Sequence, residues 1–88
     1  MISVKQAVEK AAEFAKGLLD DARAGELRLE EVEIIQPADG KRWLITLSMP
    51  QINAFGFPSK EREYKTFKVD GETGDVLSMK IRELAGAG

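Results

Sequence analysis

Apolar residues recur at helical spacing over the first quarter of the chain and alternate at strand spacing over most of the rest. Between Ser3 and Ala24, the residues Val4, Ala7, Val8, Ala11, Ala12, Phe14, Ala15, Leu18, Leu19 and Ala22 fall on one side when plotted at about 100° per residue. Lys5, Glu9, Lys10, Glu13, Lys16 and Asp20 fall on the other. The pattern predicts one helix across that span. Ser3 and Gln6 have the spacing of a capping box, and Gly25 stands where a left-handed residue would end the helix. A stripe of alanines lets the helix sit close against a sheet, with Phe14, Leu18 and Leu19 filling volume. Asp20 and Asp21 run against the helix dipole in the last turns, with Arg23 and Lys16 near enough to compensate.

Four strands follow. In Leu27 to Gln36 the alternation slips between Glu30 and Glu31, because Leu27 and Leu29 share one parity and Val32 and Ile34 the other. The slip predicts a bend or bulge there, with the regular strand starting near Glu31. Pro37 and the pair Asp39-Gly40 signal a turn. Arg42 to Met49 alternates most clearly, with Trp43, Ile45, Leu47 and Met49 on one face, and Pro50 is expected to end it. Phe67 and Val69 of the third strand are expected to face the core. Leu77, Met79 and Ile81 of the fourth should join them, with Val76, Ser78 and Lys80 behind. Tyr64 to Arg82 thus reads as a hairpin turning at Asp70-Gly71-Glu72-Thr73-Gly74-Asp75.

One helix followed by four strands with short connections predicts an α+β fold: an N-terminal helix packed on a four-stranded antiparallel meander sheet, α-β-β-β-β. The domain is expected to span residues 1–84, with a fraying tail at 85–88.

Composition narrows the chemistry. The 88 residues are 43% hydrophobic and 32% charged with a formal charge of −2, an ordinary globular balance that disfavours nucleic acid as a partner. Cysteine and histidine are absent, which removes the thiol nucleophile, the usual general base and the commonest nitrogen ligand for metals. No stretch approaches the roughly 20 apolar residues of a membrane span. The start MISVKQAVEKAAEF lacks the layout of a secretory signal, which places a full-length chain in the cytoplasm and a trimmed one in the cell envelope or outside.

Three clusters invite functional readings. The carboxylates of Asp70, Glu72 and Asp75 suggest a calcium loop, but glycines at 71 and 74 suit a tight turn, and Ile81 stands where an EF-hand needs a bidentate glutamate. Glu30, Glu31 and Glu33 lack any neighbour that would push their proton affinities apart, and acidic residues on an edge strand discourage association. Serines and threonines have no histidine to activate them, and no Ser-x-x-Lys stands on the helix, so the expectation is a non-enzyme with no cofactor and no metal. More informative is Pro50 to Ser59 (PQINAFGFPS), long for a hairpin connection and carrying Ile52, Phe55 and Phe57 among turn formers. Such a loop either folds over the open end of the core, the reading the sequence favours, or presents a binding surface. The outward sheet face, with Ile35, Leu44, Tyr64 and Val76 among Thr46, Ser48, Thr66 and Ser78, reads as an ordinary half-exposed face.

The run Phe67 to Leu77, with Asp70, Thr73, Gly74, Asp75 and Val76 at matching places, resembles the last hairpin of PepSY domains. The acidic strand start LEEVEI and the tryptophan-bearing second strand are similar to that family as well. The resemblance covers about Ala12 to Glu83. It implies a cystatin-like helix on an antiparallel sheet, found in metallopeptidase propeptides and envelope proteins, where inhibition or protein binding is the suggested role. It implies no catalytic residues. The expectation is therefore a protein- or peptide-binding domain, inhibitor-like or regulatory, with Ile52, Phe55, Phe57 and Tyr64 as its surface. The alternative is a self-association module that dimerises through the sheet edge or outer face.

Overall fold

The computed structural model describes residues 1–82, without the side chains of Asp21, Ala22 and Pro58. Residues 83–84 of the expected domain and the expected tail at 85–88 lie outside the described residues. The elements are α1 (Val4–Leu18), α2 (Asp21–Ala24), β1 (Arg28–Ile35), β2 (Arg42–Ile52), β3 (Pro58–Asp70) and β4 (Val76–Ile81). The strands form one sheet in the order β1-β2-β3-β4, and every neighbouring pair is antiparallel. This is the helix-on-meander α+β fold that the alternation predicts.

Helix α1 starts as expected. The Ser3 side chain accepts from the Gln6 backbone N–H at 3.1 Å, and Gln6 Oε1 accepts from the Ser3 N–H at 2.9 Å. Ala7, Ala11 and Ala15 are buried against Ile45, Leu47 and Met49 of β2 and Phe67 and Val69 of β3. Small side chains at the contact let α1 lie close over these two strands. Phe14 packs edge-on against Phe67, with ring centroids 6.2 Å apart.

The single helix expected to reach Ala24 is instead broken. α1 stops at Leu18, Leu19 takes an extended conformation, and α2 begins at Asp21. The reason lies in Asp20, whose Oδ1 accepts the Arg23 N–H at 2.9 Å. A side chain that competes for backbone N–H groups favours a new start over continuation. The dipole conflict dissolves with it, since Asp20 sits at the beginning of a helix and not at an end. Gly25 is not left-handed; positive φ occurs at Gly40, Gly56 and Gly74.

Two bulges decide which side chains reach the core. In β1, Leu29 pairs with Leu47 and Glu31 with Thr46, so Glu30 is the extra residue, as the broken alternation predicts. In β4, Ser78 pairs with Lys68 but Val76 pairs with Val69, which makes Leu77 the extra residue. Val76 therefore packs against the core beside Met79, whereas Leu77 and Ile81, expected inside, are 49% and 76% exposed.

Candidate functional site

Strands β2 and β3 run past the rest of the sheet. β1 starts opposite Ser48 and β4 ends opposite Lys65, so the hairpin continues beyond them as a two-stranded arm. Pro50, expected to stop β2, lies inside it. Its missing N–H leaves no gap, because β1 has already ended and that edge faces α2. The Pro50 carbonyl instead accepts Arg23 Nε at 2.8 Å.

The root of the arm is held from both faces. On the helix side, Arg23 also bonds and pairs with Glu63 of β3. On the outer side, Arg62 Nε donates to Ser48 Oγ and its Nη2 to the Ser48 carbonyl, both at 2.9 Å, and the guanidinium reaches on to the Glu26 carbonyl. Both arginines are partly buried. A planar guanidinium with several donors can join three chain segments in this way, as an ammonium cannot.

Further out, the register shifts between Pro50–Arg62 and Ile52–Pro58, so Ser59, Lys60 and Glu61 face Gln51 alone. Ser59 Oγ accepts the Glu61 N–H at 3.1 Å and stabilises this bulge. The connection proper is Asn53 to Phe57, five residues, and not the ten-residue loop expected. It is closed by Asn53 N–H to the Phe57 carbonyl at 2.8 Å and Gly56 N–H to the Asn53 carbonyl at 3.0 Å. Asn53 Oδ1 accepts from the N–H groups of Phe55 and Phe57 at 2.9 and 3.1 Å. Gly56 takes φ 83°, a conformation open to glycine at little strain.

This tip is no lid. Phe55 is 83% and Phe57 66% exposed, and Ile52 shares their end of the molecule. The lid that the sequence favours would need core to cover, and the core ends near Met49. Tyr64, expected beside these residues, stands instead at the root, paired with Ser48 on the outer face, roughly 20 Å along β3 from Phe57. The structure thus brings Ile52, Phe55 and Phe57 together and leaves Tyr64 out. No charged residue occurs from Trp43 to Ser59. Burial accounts for this as far as Pro50; beyond it the uncharged residues are mostly exposed.

The outer sheet face is more polar and better covered than a half-exposed face requires. Thr46 and Ser48 are buried there. The Thr46 and Thr66 hydroxyls lie 3.0 Å apart, Arg82 Nη1 donates to Thr46 at 3.2 Å and to Glu31 at 2.9 Å, and Ser48 donates to Glu30 at 2.6 Å. The hydrogen bond and charge of Glu31 raise the pKa of Arg82 further. Of the acidic cluster, Glu30 and Glu31 are thus engaged in bonds to β2 and to Arg82.

The turn at Asp70 is equally occupied. Asp70 Oδ1 accepts from Glu72 and Thr73 N–H at 2.7 and 3.0 Å, and these donors, Thr73 before Glu72, hold its carboxyl below the ordinary value. Among the described residues no three carboxylates gather as a metal site would need, and no helix is long and apolar enough to cross a membrane. Compared with known families, with curated proteins and with solved structures, the chain finds no match in any of the three.

Asn53, Arg23 and Arg62 were not singled out as site residues from the sequence. Asn53 had a signal, since asparagine ahead of a glycine in a turn favours a side-chain bond to backbone N–H groups further on, an Asx-turn. Arg23 and Arg62 had none: their partners lie 14 to 40 residues away.

Proposed function

We propose that this chain is a small non-catalytic domain that captures a protein or peptide with the tip of the β2–β3 arm, in an inhibitor-like or regulatory role. The observation that carries the reading is a pair of exposed phenylalanines on a turn fixed by Asn53, at the end of a gripped arm. Aromatic side chains dominate binding energy when they enter a pocket on the partner. Fixing them beforehand lowers the ordering entropy lost on binding. The uncharged tip suits an apolar pocket, because no ionised group has to be desolvated on entry. The resemblance to PepSY domains, resting on the Asp70–Val76 motif and the order of elements, agrees with a binding role.

A displayed random-peptide library panned on the domain, with Phe55→Ala/Phe57→Ala as the counter-selection, tests this reading. Peptides that bind the parent and not the double variant, with Tm nearly unchanged, support it. Binding that survives the double substitution would place the surface elsewhere, and a Tm fall of more than about 5 °C would make the tip part of the core.

A further inference from the structure

The two rims of the sheet are built differently. β1 carries Glu30, Glu31 and Glu33, and charges on a terminal strand discourage another strand from pairing. β4 is the opposite terminal strand, and its outer row of N–H and C=O groups has no partner among the described residues. Its six residues hold a single charge, Lys80. Apolar side chains open to solvent stand around it, Leu77 and Ile81 on the strand and Phe14 and Leu18 on the flank of α1, with Lys10, Glu13 and Asp75 at the Val76 end. Phe14 shares a groove with Val76 and Leu18 one with Met79, so apolar residues of helix and strand adjoin at both ends of this edge.

We propose that a second copy of this chain covers this edge, with the two β4 strands paired antiparallel across a two-fold axis at Met79. In that register position 77 faces position 81, position 78 faces position 80, and position 79 faces itself. No like charges then stand opposite each other, since Lys80 meets Ser78. The exposed Leu77 and Ile81 cover one another twice, once on each side of the axis, and the α1 flanks bring Phe14 and Leu18 towards the same seam. Self-complementarity of this kind is what an isologous interface requires, and it selects a second copy over an unrelated strand. The pairing leaves the arm free, so it stands or falls separately from the binding role of the tip.

Light scattering on the full chain after size exclusion, over a range of concentrations, reads the result directly. The expected mass is twice the 9.7 kDa of one chain. Leu77→Lys should weaken the dimer on the order of a hundredfold, because symmetry repeats the substitution at two places. Adding Ile81→Glu to it should restore the dimer, as the new Lys and Glu face each other only in this register. Ile34→Lys on the β1 side should change nothing. If Leu77→Lys does not fold, amide exchange in the parent decides: the outward amides of β4 should be protected at high concentration and released on dilution. A monomer at every concentration, an open polymer, failure of the double variant to re-pair, or a dimer split by Ile34→Lys would each overturn the proposal.

Discussion

The hairpin turns at the two ends of β3 are built from the same parts and stand in opposite surroundings. In each, a side-chain oxygen of the first residue accepts two backbone N–H groups, Asn53 from Phe55 and Phe57, Asp70 from Glu72 and Thr73. In each, a glycine near φ 80° donates back to the first residue's carbonyl. The Asp70 turn is tied into the molecule. Gly71 N–H donates to the Lys41 carbonyl at 2.9 Å, Ile2 N–H donates to the Gly71 carbonyl at 2.7 Å, and both Gly71 and Gly74 are buried. Beyond its two strands the Asn53 turn makes no comparable backbone bond among the described residues. Local turn chemistry alone therefore does not distinguish a structural closure from a presented surface; what surrounds the turn does.

Substitutions at the glycines should break the symmetry most. A Cβ at Gly71 would stand 2.7 Å from the Lys41 carbonyl oxygen, so Gly71→Ala must push backbone from backbone. We expect a loss of about 2–3 kcal/mol by chemical denaturation. At Gly56 a Cβ meets nothing within 4 Å, and Gly56→Ala should show only the strain of positive φ, about 1 kcal/mol.

The first residues differ in charge, and pH separates them. The folded-state carboxyl of Asp70 titrates below its ordinary value of 3.8. Its contribution to stability is therefore present above that pH and lost as pH falls through the lower folded value. Melting curves of the parent and Asp70→Asn should converge as the pH drops below 3.8, because asparagine keeps the acceptor and loses the titration. A constant gap between the two curves would deny Asp70 this role. Asn53→Ala should cost less than about 1 kcal/mol, since water replaces the lost bonds at an exposed tip. It should nevertheless weaken tip binding about tenfold, measured by titration calorimetry with a selected peptide. Smallest of all in stability is Phe55→Ala/Phe57→Ala, within about 0.5 kcal/mol of the parent.

Much of the fold was legible because it depends on local periodicity. The capping box at Ser3, the alanine stripe, the bulge at Glu30 and the meander order each follow from residues within a few positions of one another. What was not legible depended on neighbours remote in sequence. Pro50 reads as a strand end until β1 is known to stop at its level, leaving an edge that needs no N–H. Leu77 reads as core until the bulge in β4 turns Val76 inward. The tip residues Ile52, Phe55 and Phe57 could be picked from composition, but their exposure could not, because it follows from how far β2 and β3 outrun their neighbours. Tyr64 was misplaced by the same error, since a ten-residue loop would have brought it close.

The grip of Arg23 and Arg62 on the arm would also set how a partner of the proposed tip is met. With the root fixed on both faces and the first irregularity at Ser59 to Glu61, swinging is confined to the last few residues around the turn. Binding by the proposed tip would then be limited by orientation, as in rigid docking, with association in the ordinary range of about 10⁵–10⁷ M⁻¹s⁻¹ and selectivity expressed in how slowly a partner leaves.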